Sequence, residues 1–259
     1  MKTSLAHQCA VLAALLALGS ITLGALLTSE IRTLPGATPA PVFAPGLQEA
    51  HMVAGYGVAI MTLIVVVVVS KWTGWSAVLA VIAEIFLGNL PTIHALLAPI
   101  CFTLVVAIAV TTSKQWQTGA RPVENSWRPL RPLGMAMPVL IVLQIGLGAA
   151  FRHNKMGVVS HILDALIVLV AILVAGVFVL RQYPEHPALR PAALTLVIVA
   201  GVQVLLGFSV YMVLLMSSEN NMGLIATSVL HVVNGALVLA AAVVLTMQME
   251  RNLIQSSGA

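Results

Sequence analysis

The stretch SVLHVVNGALVLA, residues 228–240, sets a single histidine near the start of an apolar run and a glycine four residues after it. Three other segments repeat the arrangement. HMVAGYGVA begins at His51, HALLAPICF at His94 and HILDALIVL at His161, and the residues four places on are Gly55, Ala98 and Ala165, matching Gly235 after His231. Residues four apart lie on one helix face, a turn from each other, so each imidazole has a small neighbour beside it. The segments ahead of these histidines also echo one another, ending in ITLG, IFLG, IGLG and VLLG at Gly24, Gly88, Gly148 and Gly207. Gln144 and Gln203 stand four residues before two of those glycines. A helical hairpin used four times is therefore the repeating unit.

The surroundings of these hairpins belong to lipid. Hydrophobic residues make up 60% of the chain and charged ones 8%, against about 25% charged in a typical soluble domain. An apolar helix of about 20 residues crosses a hydrocarbon layer of roughly 30 Å, and only helices or closed barrels satisfy their backbones there. No alternating strand pattern is present. Eight spans are expected, over 9–28, 51–70, 73–89, 93–112, 134–150, 158–180, 190–215 and 224–247, the third interrupted by Glu84. The fold class is thus an all-α integral membrane protein of eight transmembrane helices, arranged as two pseudo-symmetric four-helix bundles. The first run, behind Lys2, is read as a retained helix, because no small-residue cleavage point follows it. Pro91, Pro99 and Pro138 lie near helix starts, with Pro99 far enough inside its span to kink it.

Charge sets the orientation. With the N-terminus inside, the inner segments hold Lys2, Lys71, Lys114, Arg121, Arg128, Arg131, Arg181, Arg190 and Arg251, and the outer ones only Arg32, Arg152 and Lys155. That asymmetry follows the positive-inside rule and places both termini in the cytoplasm. It also excludes nucleic acid as a partner, since the basic residues form neither an arm nor a stripe. Residues 1–112 form an N-terminal bundle, 113–133 a polar, proline-rich cytoplasmic linker, and 134–259 a C-terminal bundle. Cys9 and Cys101 lie in separate apolar runs and give no disulfide framework.

In this topology all four repeated histidines begin inward-running helices at one depth near the outer surface. Two histidines in each half, each with a small residue alongside, suit a flat group held between imidazoles, and a bis-histidine haem answers that description. The competing readings are interfacial polar residues beside helix-packing small residues, and a dinuclear metal centre, which would want carboxylates among the histidines. His7 and His186 are expected at the surface. Arg152, with His153 and Lys155, has two readings: charge-assisted contacts to haem propionates, or ordinary lipid and loop contacts.

QIGLGAAFRHNKMGVVSHILDALIV and SVLHVVNGALVLA, with the histidines that start spans two and four, resemble the haem A synthase family of cytochrome oxidase assembly proteins across essentially all eight spans. The resemblance implies two similar four-helix halves in a bacterial or mitochondrial inner membrane, and oxidation of the C8 methyl of haem O to the formyl group of haem A. It implies that His161 and His231 ligate a permanent haem b, and that His51 and His94 mark the pocket for substrate haem O. An electron-transfer partner and oxidase assembly proteins are the implied associates. The family places glutamate three residues before the second-span histidine and arginine directly after it; here LQEAHMVAG puts Gln48 and Met52 at those places. A cysteine pair common in an outer loop of the family is missing. Glu49, just before His51, is the candidate catalytic acid or base.

Glu84 and Asp164 are acids within apolar runs, where a carboxylate is costly and marks a functional candidate. Glu84 is a candidate lining residue of the first pocket, and Asp164 a hydrogen-bonding partner near His161. Gln144 and Gln203 are expected to orient imidazoles or to tie helices together. The alternatives to an enzyme are a non-enzymatic haem-binding assembly protein and a diheme electron carrier serving quinones. A transporter is disfavoured by continuous spans. Small-residue patches can also join subunits, so a homo-oligomer is a further reading.

Overall fold

The computed structural model describes residues 2–31, 46–69, 72–216 and 222–255. Arg32 and Lys71, two of the charges used to orient the chain, lie outside the described residues. The elements in order are α1 (Lys2–Ile31), α2 (Leu47–Val69), α3 (Trp72–Phe86), α4 (Pro91–Thr112), α5 (Lys114–Gln117), β1 (Val123–Asn125), α6 (Leu130–Arg152), α7 (Val158–Gln182), α8 (Leu189–Met216), α9 (Met222–Asn252) and β2 (Leu253–Gln255). Apart from the two short strands the protein is all-α. Among the described residues, seven helices are long and apolar enough to cross a membrane, the architecture of a multi-pass membrane protein. Large side chains such as Val53, Val67, Leu163, Val170 and Leu205 stand exposed along these helices, as lipid-facing residues should.

α3 departs from the eight-span expectation. It has 15 residues, and at about 1.5 Å per residue it is too short to cross roughly 30 Å of hydrocarbon. Its apolar pattern continues to Gly88, but the chain leaves the helix after Phe86 and turns through Leu87–Asn89. Pro91 then opens α4 at a position where its missing N–H is not needed. Pro138 is not near a helix start, because α6 begins at Leu130.

Helix neighbours follow a regular order. α1 packs on α2, α4 and α9; α3 on α2 and α4; α6 on α7, α9 and α4; and α8 on α7 and α9. α4 and α9 also pack on each other. One core cluster joins α6, α7, α8 and α9 through Met137, Ile172, Leu196, Leu239 and Leu245. A second joins Ile21 of α1, Val58 of α2, Val81 of α3 and Phe102 of α4 to Ala236 and Ala240 of α9. Small residues allow the close approaches: a Cβ on Gly176 would stand 2.6 Å from Val197.

The linker is an ordered cap. β1 pairs in parallel with β2, Val123 opposite Leu253, and Asn252 Oδ1 accepts from the Arg121 N–H at 2.9 Å. Arg251 donates to the Trp116 carbonyl at 2.6 Å and lies over the Trp116 ring. Two histidines expected at the surface have structural duties instead. His186 is buried; its Nδ1 accepts from the N–H groups of Ala188 and Leu189, relieving unpaired donors at the start of α8. His7 sits within α1, and its Nδ1 donates to the Ala109 carbonyl of α4 at 2.9 Å. Neither role leaves a sequence mark, because in both the partner is main chain.

Candidate functional site

The four repeated histidines converge in two pairs. The ring centroids of His51 and His94 are 6.0 Å apart with planes inclined at 75°; those of His161 and His231 are 6.2 Å apart and inclined at 82°. Each pair bridges helices that are not packed along their length, α2 with α4 and α7 with α9, while the helices on either side are packed. The imidazoles therefore meet across helix pairs that are otherwise apart.

Each ring is held from behind by the preceding helix, and the hold repeats. His51 Nδ1 donates to the Ser20 carbonyl at 2.9 Å, His161 Nδ1 to the Gln144 carbonyl at 3.2 Å, and His94 Nδ1 lies 3.2 Å from the Glu84 carbonyl. His231 lies against the backbone of Gln203, but its Nδ1 falls outside hydrogen-bonding geometry. These four carbonyl residues occupy one position of the repeat, four before Gly24, Gly148, Gly88 and Gly207. An Nδ1–H bonded to a carbonyl leaves Nε2 with its lone pair, the form required of a metal ligand.

The glycines explain how the rings come so close to the neighbouring helix. A Cβ on Gly24 would stand 3.0 Å from His51 Cε1, one on Gly148 2.9 Å from His161 Cε1, and one on Gly207 3.1 Å from His231 Cε1. At these three positions a side chain would push the ring away. Gly88 is different: its nearest neighbour is the Ile85 carbonyl at 3.6 Å, because α3 has already ended.

The polar side chains around the pairs are unequal. In the second pair Gln144 Nε2 lies 3.4 Å from His161 Nε2 and Gln203 Nε2 3.3 Å from His231 Nε2. Asn234 Nδ2 donates to Gln203 Oε1 at 2.8 Å and to the Val199 carbonyl at 2.9 Å. Asp164 holds the corresponding place three residues after His161, and both Asp164 Oδ2 and Gln144 Oε1 are buried without a hydrogen-bond partner among the described residues. In the first pair Ser20 Oγ is 3.3 Å from His51 Nδ1, and Glu84 Oε1 is 3.2 Å from His94 Nδ1.

The remaining candidates fall as follows. Glu49 is exposed in the first turn of α2, and two residues from His51 it points about 200° around the helix from that ring. Gln48 and Met52 are exposed as well. Arg152 closes α6 and reaches across to α1, where Nη2 donates to the Ala25 carbonyl at 2.7 Å, Thr28 Oγ1 at 3.0 Å and Ser29 Oγ at 2.7 Å. It lies close enough to His231 to act on it electrostatically. Lys155 is exposed just beyond, after a left-handed Asn154 with φ 55°. Its N–H bonds to the Ala150 carbonyl, which ends α6 in a Schellman turn.

His231 departs from the expectation that each histidine begins its helix. His51, His94 and His161 lie within the first five residues of α2, α4 and α7, whereas α9 begins at Met222, nine residues ahead of His231. Among the described residues no group of three or more His, Cys, Asp or Glu side chains is placed to hold a metal ion. Comparison of the sequence with protein-family models and with curated proteins gives no match.

Proposed function

We propose that the chain is a haem-binding membrane oxidoreductase of the haem A synthase type, built as two four-helix halves with both termini cytoplasmic. In this reading α3 and the turn after it, Leu87–Asn89, together make the crossing that α3 is too short to make alone. The inner, plasma membrane is its proposed site. The reading is supported by the closed neighbour orders α1–α2–α3–α4 and α6–α7–α8–α9, each with its histidines on diagonally opposed helices, where helix bundles hold cofactors. A metal–imidazole bond of about 2.0–2.1 Å sets a ring centroid just over 3 Å from the metal, so two trans imidazoles on one ion stand roughly 6 Å apart. The separations of 6.0 and 6.2 Å fit that requirement, and this is the observation that carries the reading. A porphyrin supplies the four equatorial donors that the protein lacks.

In this proposal His161 and His231 hold haem b, and His51 and His94 hold haem O as substrate. Haem b, when bound, supplies one-electron redox chemistry. Ser20, Gln144 and Glu84 hold ring tautomers through their carbonyls, and Gly24, Gly148 and Gly207 let the rings seat against the helix behind. The long amide contacts at Nε2 of His161 and His231 are the ones a metal bond would replace. Arg152, already fixed to α1, supplies a positive charge near the outer rim for propionates. Converting a methyl to a formyl group is a four-electron oxidation, so an electron-transfer partner is required.

The experiment is to supply purified protein with haem b and haem O and a redox partner, record spectra, and weigh the extracted porphyrins. Low-spin bis-histidine spectra with formation of haem A are expected. A second reading, a diheme electron carrier or a haem-holding oxidase assembly protein, is favoured by the exposure of Gln48 and Glu49 away from His51. Unmodified haem O after turnover conditions would select it. Protein that takes up no haem in either half would sink both.

A further inference from the structure

Resting on the haem reading, we propose that Asn234 is a positioning residue for the second histidine pair: through Gln203 it sets the tautomer of His231, with the proton on Nδ1 and the lone pair on Nε2. The chain of hydrogen bonds is anchored at main chain. Asn234 is buried on α9, and its Nδ2 donates to the Val199 carbonyl at 2.9 Å and to Gln203 Oε1 at 2.8 Å. A main-chain carbonyl accepts and never donates, so the Asn234 amide has one orientation here. Its second N–H takes Gln203 by the oxygen, and the Gln203 amide nitrogen is then the end that lies 3.3 Å from His231 Nε2. That nitrogen donates and never accepts. His231 Nε2 is therefore the acceptor, and the neutral ring carries its proton on Nδ1.

The other three rings do not need this relay. Nδ1 of His51, His94 and His161 each meets a carbonyl of the preceding helix, whereas His231 Nδ1 is buried outside hydrogen-bonding geometry. Asp164 holds the place of Asn234 beside His161, and Gln144 Oε1 has no hydrogen-bond partner among the described residues. Side chains thus supply to His231 what main chain supplies to the rest, and Nε2 keeps the lone pair that a metal ligand requires. Gly235 makes room for the arrangement: a Cβ there would stand 3.3 Å from Gln203 Nε2. The small residue four places after His231 seats the glutamine amide beside the ring.

The test reads the ring directly. In full-length protein with nitrogen-15-labelled histidine at about pH 8, above the ordinary imidazole pKa, ring-nitrogen shifts separate the two tautomers before haem is added, and His231→Ala identifies the signals. An Nδ1–H ring is expected. Asn234→Leu, similar in size and without a donor, lets the Gln203 amide turn its oxygen to Nε2 and is expected to move His231 largely to the Nε2–H form. Gln203→Leu should also shift the ring, and adding Asn234→Leu to it should change nothing more, a result that a merely structural asparagine would not give. Only a bare Nε2 binds iron, so with His51→Ala to leave the second pair alone, Asn234→Leu is expected to weaken haem b binding about tenfold. With His231→Ala, which leaves the first pair, it should have no effect. An Nε2–H ring in the unmodified protein overturns the proposal, as does an Nδ1–H ring that persists in Asn234→Leu or, where that variant does not fold, in Gln203→Leu. A shifted ring with unchanged haem affinity in the His51→Ala background also overturns it. The expected tautomer change in protein that takes up no haem refutes the haem reading and leaves the relay standing, so the two failures are distinct.

Discussion

His51 and His94 face each other across 6.0 Å, and His161 and His231 across 6.2 Å, yet the two pairs are supported in different ways. The second pair has two glutamines at its inner nitrogens, an asparagine of α9 donating to one of them on α8, and a glycine behind each ring. The first pair has a serine, a glutamate and a glycine behind only one ring. Similar ring spacing thus coexists with amides at the ring nitrogens of one pair and a hydroxyl and a carboxyl group at those of the other.

The sharpest way to break the comparison is to remove a ring. His161→Ala or His231→Ala is expected to abolish the tightly held low-spin haem signal, while His51→Ala leaves it; the visible spectrum of purified protein decides. Persistence of the signal in both second-pair variants would falsify the assignment of the retained haem to that half. Next come the glycines: Gly148→Ala should weaken haem binding by about 10–100-fold, the usual cost of disturbing a ligand's support. Gly88→Ala should change little, because no ring lies behind it. Haem titrations of the two variants check this, and equal effects would remove the difference between the pairs.

Smaller effects concern the framework. Arg152→Met strips three accepted contacts from the end of α1, and a loss of about 2–3 kcal/mol is expected for bonds from a charged donor. It should be read as a lower unfolding midpoint in detergent. Asp164→Asn puts an amide where the second pair already has one at Asn234, and replaces an acid in apolar surroundings. A gain of about 1 kcal/mol, the worth of one net hydrogen bond, is expected in the same measurement. A loss would mean that Asp164 is not the counterpart of Asn234.

The histidine repeat was legible because side-chain identity marks it: His51, His94, His161 and His231 each stand four places before a small residue, at Gly55, Ala98, Ala165 and Gly235. What holds the rings was not legible, since the acceptors at Ser20, Gln144 and Glu84 are main-chain carbonyls that every residue possesses. That hides the equivalence of Ser20 and Glu84 with Gln144 and Gln203, four residue positions of one role with three side-chain types. The lengths of helices were partly hidden for a similar reason. Apolar composition continues past Phe86 to Gly88, so hydropathy carries α3 further than the backbone does. Glu49, two residues before His51, stands exposed in the first turn of α2, a placement that its position in the sequence alone does not decide.

The parallel pairing of β1 with β2 has a consequence for biosynthesis. Its two strands leave the ribosome with α6 to α9 between them, so the cap they form cannot close until those four helices have been made. Insertion of either set of helices is then free of the other, and the last strand acts as a late fastening that records completed assembly.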